Sequence, residues 1–213
     1  MSIPVDTYFT VTPGSNVDRV PGAYATLGNT DLFFYVTETN SLRVVNMNSS
    51  AGSAAPGNVS FALAQNVKWM DVITMPGNGI VQIYYSDNNG VLWYSPYVTY
   101  GGPTVFKQVQ GVSSVVNFST IYSPNSNPTA FLLMVDDGLK HTLYVGGDPA
   151  YNSVLSTTIT YNNSLNALIY ISRPSIAMHP SDTHVITVTC QQTVISTSVT
   201  SVGFYEIKVS GIS

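Results

Sequence analysis

A spacing of 49 residues recurs along this chain and limits the folds it can adopt. Three strand-forming runs lie at this spacing, Phe34–Glu38, Ile83–Asp87 and Leu132–Asp136, and each ends in an acidic residue at a turn. A second strand-forming run follows each of these turns. A fixed period of about 40–50 residues built from hairpins is typical of β-propellers, in which each repeat is one small antiparallel sheet.

Further strand and turn signals extend each repeat to about four strands and define a fourth, less regular unit. The spacing predicts an insertion within Asp148–Asn163 in the third unit and a long polar loop over Gln191–Ser201 in the fourth. We therefore predict an all-β single domain over residues 1–213, a small propeller of four blades of about 49 residues. The strand Thr7–Thr12 is expected to close the ring, which would cover an exposed sheet edge. A two-sheet sandwich or jelly roll, which also contains many short strands, is the alternative.

The charge content excludes several classes of partner. Charged residues make up 8% of the chain, against about 25% in a typical soluble domain. The seven Lys and Arg residues are scattered singly and the net charge is −4, so neither nucleic-acid binding nor membrane insertion is expected. The N-terminus shows no signal-peptide pattern, and no apolar run is long enough to span a bilayer.

Catalytic and metal-binding patterns are missing from the sequence. His179, Asp182 and His184 surround one turn, which would splay their side chains, and no further ligand accompanies them. Glycoside hydrolysis needs two carboxylates across one cleft, whereas acidic residues related by the repeat should lie far apart around one face of a propeller. A sialidase would need clustered arginines, and the three present are dispersed: Arg19, Arg43 and Arg173. We expect no enzymatic activity, catalytic residue, metal or cofactor, and interpret the single Cys190 as a core thiol.

Aromatic residues offer a better indication of function. Aromatic faces pack on the C–H faces of sugar rings while nearby polar side chains bind the hydroxyls. The candidate ligand-binding residues are aromatics around the second unit together with acidic and basic side chains at the hairpins: Glu38, Arg43, Trp69, Tyr84, Asp87, Trp93 and Tyr94. Two structural interpretations compete with this one. Strand alternation places half of these rings in the core, and the acidic residues suit turns in which a carboxylate bonds nearby backbone N–H groups.

The segment Val81–Tyr94 resembles the blade core of fungal-type fucose-binding propeller lectins, and Phe33–Arg43 is a weaker copy of it. In that family an Arg, a Glu and an aromatic hold fucose between blades. The resemblance implies that Arg43 and Glu38, with Trp69 or Tyr35, form such a set in the first unit. The second and third units have Leu92 and His141 where the 49-residue spacing aligns Arg43.

Two functions from different classes follow from these observations. The first is a non-enzymatic lectin that binds glycans in inter-blade clefts, in the cytoplasm or after non-classical secretion. The second is a structural or receptor-binding spike or capsid-decoration protein of a virus or phage, located on the virion surface. Its partners would be further copies of the chain or other virion proteins.

Overall fold

The computed structural model describes residues 22–47, 60–75, 80–97, 100–123, 130–136, 141–146, 155–159, 169–179, 181–194 and 198–208. These ranges contain fifteen β-strands arranged in four antiparallel sheets, in which strands adjacent in sequence pair with each other. Sheet I contains β1 (Gly22–Leu27), β2 (Thr30–Val36), β3 (Leu42–Asn46) and β4 (Phe61–Ala64). Sheet II contains β5 (Val67–Met75), β6 (Ile80–Asp87), β7 (Leu92–Tyr97) and β8 (Lys107–Gln108).

The second half of the chain repeats this arrangement. Sheet III contains β9 (Asn117–Ser123), β10 (Ala130–Asp136), β11 (His141–Gly146) and β12 (Leu155–Ile159). Sheet IV contains three described strands, β13 (Ile169–His179), β14 (Asp182–Val194) and β15 (Val199–Lys208). The prediction of an all-β fold is confirmed, and the described strands form four successive antiparallel sheets.

The first strands of successive sheets pack against one another, β1 against β5, β5 against β9 and β9 against β13. Packing of similar extent between β1 and β13 is not found in the described part of the chain. The predicted closing strand Thr7–Thr12 lies outside the described residues, as does most of the predicted insertion Asp148–Asn163. Closure of the ring by the N-terminal strand therefore stays a prediction.

Two hydrophobic clusters fill the spaces between the first three sheets. Between sheets I and II, residues such as Leu32 and Phe34 pack with Ile83 and Tyr97 of the facing sheet. A second cluster on the opposite side of sheet II is closed by Phe118 of sheet III. The strands β5, β6 and β7 thus contribute to both cores through alternate residues, which is why they carry large side chains on both faces.

Hydrogen bonds between first strands connect sheet II to sheet III. The Trp69 indole N–H donates to the Phe118 carbonyl at 2.8 Å. The Asp71 carboxylate accepts from the Thr120 backbone N–H at 2.8 Å and from its hydroxyl at 3.0 Å. Its other oxygen accepts from the Val72 N–H at 2.9 Å. Although part of the residue is exposed, burial raises the pKa of the Asp71 carboxyl above its ordinary value of 3.8.

The turn between β6 and β7 is built around the Asp87 side chain. Its Oδ1 atom accepts from the backbone N–H groups of Asn89 at 2.8 Å and Val91 at 3.0 Å. Gly90 donates its N–H to the Asp87 carbonyl at 3.0 Å and has φ of 74°, a left-handed conformation that favours glycine. Asp87 therefore forms the turn through its carboxylate, as the structural alternative to ligand binding predicts for this residue.

Thr37 performs the same task in the turn between β2 and β3. Its N–H donates to the Ser41 carbonyl at 2.9 Å, and its hydroxyl accepts from the Ser41 N–H at 3.2 Å. Asn40, with φ of 57°, corresponds to the glycine of the second turn. Glu38, which the sequence spacing aligned with Asp87, is instead an exposed residue one position further along the turn.

The first two units are consequently related by 50 residues at their hairpins. Tyr35 pairs with Arg43 across β2 and β3, and Tyr85 pairs with Trp93 across β6 and β7. Trp93, and not Leu92, therefore stands at the place of Arg43. The alignment from the 49-residue spacing was wrong here by one residue, which exchanges the two faces of a strand.

Sheet IV differs from the prediction in one respect. The expected long loop Gln191–Ser201 is mostly strand, because Gln191 pairs with Val202 and the ladder continues to Val194 opposite Val199. The β14–β15 connection is therefore short. Within the described ranges no helix is long and apolar enough to cross a membrane.

Candidate functional site

The structure distributes the predicted ligand-binding residues over three different sheet faces. Trp69, Tyr84 and Tyr94 belong to the face of sheet II that packs on sheet III. Trp93 lies on the opposite face of sheet II and packs against the core shared with sheet I. Arg43 lies on the face of sheet I that is turned away from sheet II, since its neighbours Leu42 and Val44 fill the shared core. These side chains do not form one site.

The group facing sheet III is dominated by packing. Tyr84 and Tyr94 are buried and their rings lie 6.3 Å apart at a tilt of 31°. Trp69 is partly buried and uses its indole N–H for the bond to Phe118. These three residues contribute to the packing of sheet II on sheet III.

Trp93 is held in a stack between sheets I and II. Its ring lies 6.3 Å from that of Tyr85 at an interplanar angle of 16°, and its indole N–H donates to Asp87 Oδ2 at 3.1 Å. Phe106 approaches the Tyr85 ring edge-on at 4.8 Å. Burial, with the nearby Asp87 charge, raises the pKa of Tyr85 to about 12, so its phenol keeps its proton at neutral pH.

Arg43 and Glu38 do not form the expected pair. The Arg43 guanidinium donates from Nε to the Ser60 hydroxyl at 2.9 Å and from Nη2 to the Ser60 carbonyl at 2.8 Å. Glu38 is exposed in its turn, and no ion pair joins it to Arg43 among the described residues. Of the set implied by the lectin resemblance, the structure brings together Arg43 and Tyr35 only.

Tyr35 and Arg43 belong to a row of aromatic and polar side chains that we call the aromatic face of sheet I. The row is defined by residues on the side of sheet I that is turned away from sheet II: Tyr24, Asp31, Phe33, Tyr35 and Arg43. Tyr24 pairs directly with Phe33 across β1 and β2. The Phe33 and Tyr35 rings lie 6.0 Å apart and nearly parallel, at 17°. Three adjacent rings thus form one nearly continuous apolar strip.

Gly22 makes room for the Phe33 ring. It stands opposite Tyr35 on β1, and a Cβ atom at this position would approach Phe33 Cζ to 3.0 Å. The Phe33 ring therefore leans over the glycine, where any larger residue would have to displace it.

The strip has an acidic end on β1 and β2. Asp31 accepts a hydrogen bond from the Thr26 hydroxyl at 3.3 Å. The Asp31 carboxylate, as a hydrogen-bond acceptor for the protonated phenol, is the main reason that the pKa of Tyr24 is raised above 10.0. Tyr24 is 58% exposed, so this end of the strip presents a phenol, a carboxylate and a hydroxyl toward solvent.

The basic end lies across the sheet, where the Arg43 side chain reaches Ser60 beside β4. Neighbouring strands are about 4.8 Å apart, so three strand spacings separate Tyr24 from Ser60 by about 14 Å. A surface of this length, apolar along its middle and polar at both ends, has room for more than one sugar ring.

Sequence reasoning missed three members of this face. Tyr24, Asp31 and Phe33 are not among the predicted ligand-binding residues, because aromatics are more concentrated in the second unit. The signal was present in the alternation of β2, where Asp31, Phe33 and Tyr35 share one face and Leu32, Phe34 and Val36 share the other. Only the pairing with β1 shows that Tyr24 joins them.

Metal chemistry finds no support in the part of the chain that the structure describes, where no three His, Cys, Asp or Glu side chains form a group that could hold an ion. Arg19 and the side chain of Arg173 lie outside the described residues, so a cluster of the three arginines stays untested.

No family model matches this chain, and no curated protein matches it significantly. Solved structures do resemble it. A leech intramolecular trans-sialidase complexed with 2,7-anhydro-Neu5Ac is 12% identical, with a TM-score of 0.64 over 87% of this chain and 31% of its own. A mutant of NanB sialidase from Streptococcus pneumoniae is 14% identical, with a TM-score of 0.61 over 87% of this chain and 30% of its own. SapL1 lectin in complex with alpha methyl fucoside is 11% identical, with a TM-score of 0.54 over 89% of this chain and 65% of its own.

These similarities concern the fold. The chain shares an all-β architecture with sialidases and with a lectin, and it spans about a third of the sialidases' length and 65% of the lectin's. The similar structures include both enzymes and a carbohydrate-binding protein.

Proposed function

We propose that this protein is a non-enzymatic, carbohydrate-binding β-propeller in which the four sheets are the blades. The aromatic face of sheet I receives the glycan, in the cleft that this face would line between blades. Sugar rings lie on Tyr24, Phe33 and Tyr35, and their hydroxyls bind the polar groups at the two ends of the strip.

The observation that carries this proposal is the contrast between equivalent positions in the first two units. Tyr85, the counterpart of Tyr35, is only 8% exposed in the core shared with sheet I, and the partly buried Trp93, the counterpart of Arg43, packs against that core. Tyr35 and Arg43 are partly exposed and continuous with the exposed Tyr24. The same kind of surface that forms a core between sheets I and II is thus accessible on the aromatic face.

Two of the similar structures contain a bound carbohydrate, which agrees with this proposal. SapL1 is a lectin bound to a fucoside and the leech enzyme is bound to a sialic acid derivative. Because those similarities show only the fold, the argument for glycan binding rests on the aromatic face itself.

The test is a glycan array followed by titration calorimetry on the strongest ligand. Calorimetry is preferable to tryptophan fluorescence because neither Trp69 nor Trp93 lies on the aromatic face. We expect Tyr35→Ala to weaken binding at least tenfold, a loss of about 1.4 kcal/mol, because one ring of the strip is removed. The matched control is Val105→Ala, a truncation at a side chain that is 73% exposed in another part of the surface.

Two results would contradict the proposal. A blank array with correctly folded protein would exclude a glycan ligand of the printed classes and favour the particle-subunit hypothesis. Binding that survives Tyr35→Ala but fails in Trp93→Phe would move the site to the cleft between sheets I and II. Urea unfolding of each variant shows whether a loss of binding is a loss of fold.

A further inference from the structure

The charge on Arg43 has no counter-charge in the described part of the molecule. Both hydrogen bonds of its guanidinium go to Ser60, a neutral residue, and they use two of its five N–H groups. The side chain is partly buried, so it has lost part of its hydration without gaining a carboxylate from the residues that the structure describes. A guanidinium in such a position gains most from an anionic ligand group, which it can bind through two parallel N–H bonds.

The opposite end of the aromatic face favours neutral ligand groups over anionic ones. The Asp31 carboxylate already accepts a bond from the Thr26 hydroxyl and can accept more from sugar hydroxyls. A second negative charge on the ligand would be repelled there. The face therefore favours a ligand with a carboxylate at one end and neutral, hydroxyl-bearing rings at the other.

Building on the proposed function, we propose that the ligand is an acidic saccharide whose carboxylate binds Arg43 and whose neutral rings lie on Phe33 and Tyr24. Ser60 is a positioning residue, because its hydroxyl and carbonyl hold the guanidinium at the β4 side of the strip. The attraction is local, since the chain as a whole carries a net charge of −4. Polyanionic glycans should bind less well than glycans with a single carboxylate.

The experiment compares carboxylated oligosaccharides on an array with the same oligosaccharides after reduction of each carboxylate to the alcohol. Reduction leaves the rings and linkages intact and removes only the charge. We expect at least a tenfold loss of binding by wild-type protein on reduction, and a smaller effect of reduction in Arg43→Gln. Arg43→Lys should bind with intermediate affinity because it keeps the charge but lacks the planar fork.

The matched control is Lys107→Gln, which removes one positive charge from an exposed position on β8 and should leave binding unchanged. Wild-type binding to acidic glycans should also weaken as salt is raised. If Arg43→Gln does not fold, the comparison of native and reduced glycans on wild-type protein still decides whether the ligand needs its carboxylate.

The outcomes separate this inference from the proposed function. Equal binding of native and reduced glycans overturns the acidic ligand but leaves glycan binding intact. An equal loss in Lys107→Gln would indicate nonspecific attraction of anions and would also overturn it. Absence of binding to every printed glycan would overturn both proposals together.

Discussion

Replacing Asp71 by alanine should lower the free energy of unfolding by about 3 kcal/mol, measured by urea denaturation. The carboxylate accepts from the Val72 N–H and from both the N–H and the hydroxyl of Thr120. Alanine would leave these donors without an acceptor where sheets II and III meet. Relief from burying a charged group offsets only part of this loss, because three donors are affected.

Glu38→Gln is the matched control for this variant. Glu38 is an exposed carboxyl with no hydrogen-bond partner among the described residues, so its substitution should change stability by less than about 0.5 kcal/mol. A cost for Asp71→Ala no larger than that of the control would show that the link between the first strands of the two sheets contributes little.

The same carboxyl should make stability depend on pH. Because burial raises the pKa of Asp71 above 3.8 in the folded state, the folded protein takes up this proton at a higher pH than the unfolded chain does. The contribution is therefore complete below pH 3.8 and is lost as pH rises through the folded pKa. The stability of wild type relative to Asp71→Asn should increase as pH is lowered from neutral toward that value, and a difference that stays constant would contradict the assignment.

Replacing Gly90 by alanine should lower the free energy of unfolding by about 3 kcal/mol, for two separate reasons. The backbone of Gly90 is left-handed, with φ of 74°, which costs an L-residue about 1–2 kcal/mol. In addition, a Cβ atom would lie 3.0 Å from both the Ser114 Cα and the Val115 nitrogen. These are backbone atoms that cannot move aside easily, and Val115 also donates its N–H to the Gly90 carbonyl at 2.9 Å.

Gly28→Ala separates the two reasons. Gly28 has φ of 60°, but a Cβ atom there would meet nothing within 4 Å. The Gly28→Ala substitution should therefore lower the free energy of unfolding only by the conformational part, about 1 kcal/mol. Equal losses in the two alanine variants, measured by urea unfolding, would mean that the contact between the β6–β7 turn and the start of sheet III tolerates a methyl group.

The sequence predicted those parts of the fold that depend on neighbours along the chain. The all-β class, the four units and the acidic turn at Asp87 follow from strand alternation and turn chemistry, which act over a few residues. The acidic turn is explained by Asp87 bonding the backbone N–H groups of Asn89 and Val91, a contact that spans four residues. Such local preferences can be recognised in a single sequence.

The assembly of the candidate site depended on contacts that the spacing did not specify. The two hairpins are related by 50 residues, and this difference of one residue from the predicted spacing places Trp93, not Leu92, in the position of Arg43. Because side chains alternate between faces with a period of two, a shift of one residue assigns a side chain to the opposite cleft.

Tertiary packing also decided which aromatic residues are accessible. Tyr85 and Tyr35 occupy equivalent positions, but sheet I covers the first, while the second stays partly exposed beside Tyr24. The sequence by itself determined that the chain forms antiparallel sheets with aromatic faces, because alternation and turns are local. Which of these faces stays partly exposed was decided by how one sheet packs on the next, and that depends on residues far apart in the chain.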